Sequence, residues 1–165
     1  MRRACSFTAS AAAKPNIIFI FSDDHAVQAI GAYGARLSDF CQQQGVTPNI
    51  DKLAAGGMIF TEAHSSSAVC TPTRYGILTG RYNWRTRLKS GVLWGYSSHL
   101  ISTERLTVPK LLKKNGYTTH CIGKWHLGHT ERFHPSRQGF DDYYGILYSN
   151  DMVPVQIFEN HKVVE

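Results

Sequence analysis

The first patterned stretch is Asn16-Ile17-Ile18-Phe19-Ile20-Phe21-Ser22, apolar at nearly every position and bounded by Pro15 and by Asp23-Asp24. Such a run predicts a strand buried on both faces, as in a parallel sheet. Thr47-Pro48 reads as an N-cap followed by a first-turn proline. Ile50, Leu53 and Ala54 recur at helical spacing behind it, and Gly56-Gly57 mark the stop. Residues 58–63 read as a second strand and Ser65-Ser66-Ser67 as a loop. Thr71-Pro72 repeats the cap-then-proline start, with Gly80 ending that helix. Thr107 caps a further helix with Val108, Leu111 and Leu112 on one face and Asn115-Gly116 at its end. Residues 117–122, β-branched and aromatic, predict a third strand, and residues 153–164 read as extended. The order strand, helix, strand, helix, helix, strand predicts an α/β fold: a mostly parallel sheet flanked by helices.

In such sheets ligands bind beyond the carboxyl ends of the strands. Asp23 and Asp24 follow the first strand, Cys70 lies beyond the second at a helix start, and Lys124 and His126 follow the third. Two adjacent carboxylates suit a hard divalent cation, calcium or magnesium, and suit a turn or N-cap pair equally. Cys70 stands where backbone N–H groups favour an anion, with Arg74 one turn on; a buried structural cysteine beside a surface arginine gives the same pattern. Lys124 and His126, two apart, share a face of an extended chain. They offer a cation for an oxyanion and an imidazole for proton transfer, or belong to a loop whose Trp125 is core.

Composition narrows the classes. The 165 residues hold 18 Lys+Arg against 12 Asp+Glu, a formal charge of +6, with 42% hydrophobic and 18% charged residues. That length suits one domain with a real core, and the balance excludes a disordered or fibrous chain. No apolar run approaches the ~20 residues of a membrane span. Four cysteines without a Cys-x-x-Cys pair exclude a disulfide scaffold and a zinc ribbon. The basic charge favours anionic partners, yet no Lys/Arg block is dense enough for a nucleic-acid tract. The tightest cluster runs from Arg81 to Lys89, with Trp84, Arg85 and Arg87 between, and reads first as a solvated face. Residues 1–13 carry Arg2-Arg3 and small residues but lack the apolar middle of a secretory signal, so they are set apart as a disordered or signal-like segment from residues 14–165.

Cys70-Thr71-Pro72-Thr73-Arg74, continuing through Gly80-Arg81, resembles the first signature of the type I, arylsulfatase-like sulfatases. Gly116 through Lys124-Trp125-His126 resembles the second, and Pro15–Asp24 with Thr47-Pro48-Asn49-Ile50-Asp51 resembles that family's opening strand and first helix. The resemblance implies an alkaline-phosphatase-like fold and the hydrolysis of sulfate esters. It implies that a separate formylglycine-generating enzyme oxidises Cys70 to Cα-formylglycine. One hydroxyl of the aldehyde hydrate then attacks sulfur, and the other loses a proton as sulfate leaves. It further implies that Arg74 holds the modified residue, that Lys124 contacts hydrate and sulfate, and that His126 assists sulfate release. Asp23 and Asp24, with the modified Cys70, would bind calcium or magnesium, and Ser149 would lie near the substrate sulfate. Periplasmic, secreted or lysosome-like location is the family's habit.

The family's further metal ligands and its later histidine and lysine have no counterpart here, so the chain is expected to be the N-terminal part of a sulfatase catalytic domain. Two other readings stay open: a phosphonate monoester hydrolase or phosphodiesterase of the same superfamily, and a non-catalytic anion-binding remnant.

Overall fold

The helices end near the expected glycine and asparagine positions, and of the three expected threonine caps only Thr107 uses its hydroxyl to cap a helix. The computed structural model describes residues 14–34, 37–95 and 97–165, so the segment 1–13 set apart above lies outside the described residues. The chain divides into two compact units, residues 1–59 and 60–165.

In the first unit, α1 covers Ser38–Gln44 and α2 covers Pro48–Gly56, with Pro48 at the helix start and Thr47 at the N-cap position. The Thr47 hydroxyl does not cap the helix. It accepts from the Gly31 N–H at 3.0 Å and donates to the Asp51 carboxylate at 3.2 Å, and Asp51 in turn accepts from the Ala32 N–H at 2.7 Å. The expected strand at 16–22 is absent. Those residues are irregular and exposed, Ile18 by 85% and Ile20 by 83%. A strand exists only through backbone bonds to a neighbour, and no described segment pairs with this one.

In the second unit, α3 spans Cys70–Thr79 and ends at Gly80 in the left-handed conformation. α4 spans Val108–Lys114, and the Thr107 hydroxyl accepts from the Lys110 N–H as expected of an N-cap. Residues 58–63, expected as a strand and shared in sequence between the two units, form no ladder either; Met58 and Phe60 are exposed. The third expected strand forms as β1, His120–Ile122, and pairs in parallel with β2, Asp142–Gly145. β3, Phe158–Glu159, and β4, Lys162–Val163, complete the order β1-β2-β3-β4 by antiparallel pairing. The result is a partial α/β fold, as expected, with helices and a four-stranded mixed sheet whose β1–β2 pair is parallel.

The core of this unit gathers Tyr75 from α3, Trp125 and Leu127 from the segment after β1, Tyr143 from β2, and Leu93 and Ile101 from the intervening loop. The β1–β2 pairing continues beyond both strands. Gly123 N–H donates to Tyr144, Trp125 N–H to Ile146 and His126 N–H to Leu147, at 2.8, 2.9 and 3.0 Å. At Gly145, φ is 151°, and a Cβ there would lie 2.1 Å from the Gly123 carbonyl oxygen. Only glycine permits the two chains to run this close.

Candidate active site

The site grows from the start of α3. Val69 is extended and stands at the N-cap position, and Cys70 is the first helical residue, two positions earlier than the Thr-Pro pattern suggests. Thr73 Oγ1 lies 2.8 Å from the carbonyl oxygens of both Ser67 and Val69 and so holds the approach to the helix. Gly76 lets the serine loop lie against α3, since a Cβ there would stand 2.2 Å from Ser66 Oγ. Tyr75, 3% exposed, fixes which face of α3 looks inward.

Beyond β1, the prolonged pairing with β2 delivers Lys124 to this helix start. Its Nζ donates to Cys70 Sγ at 3.2 Å. Arg74, one turn along α3, donates through Nη1 to the Lys124 carbonyl. The helix therefore grips Lys124 twice, through its ammonium and through its backbone.

Thr71 is fully buried. Its hydroxyl donates to the His126 carbonyl at 3.0 Å and accepts from the Leu93 N–H at 3.1 Å. It does not cap the helix, because its oxygen is already committed to these two segments. Leu93 then returns its own carbonyl to His126 Nε2 at 2.9 Å. A carbonyl only accepts, so the proton of a neutral His126 sits on Nε2 and Nδ1 carries the lone pair. Nδ1 is buried and has no hydrogen-bond partner among the described residues. His126 also adopts a left-handed backbone, φ 57°, a strained conformation for histidine of order 1–3 kcal/mol, held by the bonds to Leu147 and Thr71. Its pKa is lowered, first by burial, with Lys124 and Arg74 adding to the effect while the Leu93 carbonyl and Asp151 oppose it. Neutral imidazole is the form this pocket favours.

Tyr148 meets the His126 ring edge-on, at 5.9 Å between centroids, and its hydroxyl lies 2.8 Å from His129 Nδ1 and 3.3 Å from the Gly95 carbonyl. Ser149, 7% exposed, bonds through its side chain to Asp151. That bond is the main reason the Asp151 carboxyl titrates below its ordinary range, and the charges of Lys124 and His126 contribute.

Cys70, Arg74 and Lys124 are thus in direct contact, His126 is tied to them through Thr71, and the loop after β2 brings Ser149 and Asp151 into the field of Lys124 and His126. Asp23 and Asp24 belong to the first unit, where both are exposed and Asp24 has φ 40°. Their oxygens have the chemistry calcium and magnesium take, but two residues supply only part of a shell of roughly six to eight ligands. A thiol at Cys70 adds a soft donor that hard cations avoid, whereas an oxygen at that position would suit them. Among the described residues no group of three or more His, Cys, Asp or Glu is assembled to hold a metal.

The sequence reading passed over Thr71, the Leu93 backbone, Tyr148 and Asp151. Thr71 carried a signal, a threonine beside the cysteine, but the Thr-Pro helix start explained it away.

Residues 15–162 match the Sulfatase family, and the chain belongs to it. It is 39% identical over 144 residues to arylsulfatase G of Mus musculus, covering 86% of this chain and 25% of that protein. It is 40% identical over 161 residues to an N-acetylgalactosamine-6-O-sulfatase of Bacteroides thetaiotaomicron, covering 92% and 30%. Among solved structures, one concerned with metabolism of multiple glycosaminoglycans by Bacteroides thetaiotaomicron superposes with a TM-score of 0.77 at 37% identity, over 92% of this chain and 32% of that one. Another, in complex with its substrate D-glucosamine-2-N,6-O-disulfate, gives 0.68 at 32% identity, over 92% and 28%. The chain spans about a quarter to a third of the length of these relatives. No helix among the described residues is long and apolar enough to cross a membrane.

Proposed function

We propose that this chain carries the nucleophile side of a sulfuric ester hydrolase acting on sulfated saccharides, in a periplasmic, secreted or lysosome-like setting. The observation that carries the reading is the junction of Cys70 Sγ with Lys124 Nζ at 3.2 Å, braced by Arg74 on the Lys124 carbonyl. Family membership supports the reaction class, and the sulfated amino sugars named for two relatives support the substrate class.

Oxidised by a formylglycine-generating enzyme, Cys70 supplies a hydrated aldehyde whose hydroxyl is a nucleophile towards sulfur. Asp23 and Asp24 would contribute carboxylate ligands to calcium or magnesium, whose chemistry would be Lewis-acid stabilisation of negative oxygen. The chain's own side chains do the rest. Lys124 places a positive charge beside residue 70, where it draws the sulfate anion and balances charge growing on its oxygens. Arg74 adds a second cation and keeps the Lys124 backbone in position. His126, neutral, with its proton fixed on Nε2 by Leu93, presents Nδ1 as a proton acceptor. The Ser149 hydroxyl proton is directed to the Asp151 carboxylate, so Ser149 would donate to a sulfate oxygen only by giving up that bond.

The test co-expresses the chain with a formylglycine-generating enzyme and reads Cys70 by peptide mass spectrometry. Matched sulfate, phosphate and phosphonate esters are then assayed on the chain and on the longest reading frame that contains it. The expected result is an aldehyde at Cys70 and preferential release of sulfate by the longest frame. Only free thiol at Cys70, in cells that convert another sulfatase, overturns the nucleophile; preference for phosphodiesters or phosphonates overturns the substrate class.

A further inference from the structure

Residues 63–103 contain no Asp or Glu, yet hold Arg74, Arg81, Arg85, Arg87 and Lys89. Arg74 belongs to the site above. The other four lie just past Gly80, at the far end of α3 from Cys70. Ten helical residues span about 15 Å, so this is a separate surface, beyond the reach of one sugar ring bound at residue 70.

The segment is firmly built. Asn83, 5% exposed, donates to the Leu88 carbonyl at 2.9 Å. Thr86 Oγ1 donates to the Asn83 carbonyl at 2.6 Å and accepts from the Leu88 N–H at 3.1 Å, while Leu88 enters the core. Arg87 is spent on the carbonyls of Ser98 and His99, and Lys89 on that of Trp84. Between the buried anchors the chain turns two large rings outward. Tyr82 and Trp84 stack on one another at 5.2 Å with planes 16° apart, and each remains about half exposed, 51% and 54%. Two mutually stacked rings on a braced turn lose little freedom when a ligand adds to their outer faces. Arg81 and Arg85 flank them in the chain, Arg81 half-buried and Arg85 exposed, and among the described residues neither guanidinium is engaged in a side-chain hydrogen bond or ion pair.

We propose that Tyr82 and Trp84, with Arg81 and Arg85, form a docking surface for a sulfated oligosaccharide, distinct from the site at Cys70. A pyranose presents an apolar C–H face that an aromatic ring covers, and carries its sulfate at the rim, where a planar guanidinium binds two oxygens at once. The segment offers two half-exposed ring faces with an arginine next to each in the chain, and no carboxylate in the stretch to repel the anion. Nucleic acid fits less well, because two free arginines neutralise too few phosphates for tight binding. Such a surface would hold a longer chain while one of its units is presented elsewhere. The proposal rests on the reading that sulfated saccharides are this protein's ligands.

Binding is measured by calorimetry and tryptophan fluorescence on the Cys70→Ser chain, so that no turnover contributes. The probes are a size-defined oligosaccharide of 6-sulfated N-acetylgalactosamine and glucuronic acid, its desulfated counterpart, and a single-stranded oligonucleotide of equal charge. Trp84→Ala and Tyr82→Ala are each expected to weaken binding of the sulfated probe by about tenfold or more, while Trp84→Phe stays within about threefold. Arg85→Gln is expected to weaken binding and to flatten its salt dependence. Far-UV circular dichroism and melting temperature check that the exposed substitutions leave the fold intact. Unchanged affinity in Trp84→Ala, equal binding of the desulfated probe, or equal binding of the oligonucleotide each overturns the proposal. Binding requires no sulfate release, so failure here leaves the Cys70 reading standing, and a chain that releases no sulfate can still show this site.

Discussion

Lys124 Nζ stands 3.2 Å from Cys70 Sγ across 54 residues of chain, and it is the backbone that brings it there. The close β1–β2 pairing runs past the ends of both strands, through Gly123, to place Lys124 against the first turn of α3. A short hydrogen-bonded ladder thus fixes a cation beside the candidate nucleophile.

Removal of that cation should act on rate. In the active, longest form with Cys70 converted, Lys124→Ala is expected to lower kcat for an aryl sulfate by roughly 10²–10³-fold. Steady-state kinetics with peptide mass spectrometry of residue 70 separates this from lost modification: conversion should match wild type while turnover falls.

Thr71→Val keeps the shape and deletes the hydroxyl. It leaves the Leu93 N–H and the His126 carbonyl without their shared partner in a fully buried position. A loss of about 1–3 kcal/mol for each abandoned group is expected from urea unfolding, with Thr71→Ser recovering most of it. Equal stability of Thr71→Val and wild type would refute the bridging role.

Acid should destabilise the fold before any carboxylate is reached. His126, His134 and His99 each titrate below the ordinary 6.5, with burial the largest cause in all three. A lowered histidine pKa means the unfolded chain takes up protons first. Stability is therefore complete above about pH 6.5 and declines as pH falls from there towards the depressed folded values. Thermal midpoints between pH 7.5 and 5 should fall monotonically, and His134→Gln should reduce the slope. Asp141 adds its own loss only below its ordinary value, since Lys113 and Thr119 hold it at about 2.

Gly145→Ala tests the close passage of the two chains. The new Cβ would meet the Gly123 carbonyl oxygen at 2.1 Å on backbone that side chains rarely adopt. Overpacking and strain of this kind cost roughly 1–3 kcal/mol each, so a clear drop in melting temperature is expected, together with loss of the Lys124 function described above.

Calcium affinity gives an independent check on the ligand count. With Asp23 and Asp24 as its only assigned carboxylates, the chain is expected to bind calcium weakly, in the millimolar range by the standard of poorly chelated sites. Calorimetry yielding sub-micromolar affinity would mean that other oxygen donors complete the shell.

Local features were legible where local chemistry decides them. Thr47-Pro48 and Thr107-Val108-Pro109 marked the starts of α2 and α4, and Gly80 marked the end of α3, because caps and left-handed turns depend on a few adjacent residues. Strands were harder. The apolar run at 17–21 and the segment 58–63 had the composition of strands but formed no ladder, since pairing depends on a neighbour that periodicity does not describe. Residues 120–122 did pair, because the segment 142–145 lies beside them. At the site, Lys124 follows β1, the one expected strand that forms, whereas the strand expected before Cys70 is absent and the start of α3 positions that residue instead. Thr71 was not legible: its partners sit 22 and 55 residues away, and a helix start accounted for it equally well.

The shared hydroxyl of Thr71 also leaves a kinetic trace in the native state. Leu93 belongs to no helix or strand, yet its side chain is 1% exposed and its amide is bound inside the core by a side chain that water does not reach. Loop amides ordinarily trade their hydrogen for deuterium through small local openings. The Leu93 amide can do so only when α3, the segment after β1 and its own loop part together, so its exchange should be as slow as that of the most protected sites in α3, marking an irregular stretch of chain as part of one cooperative block.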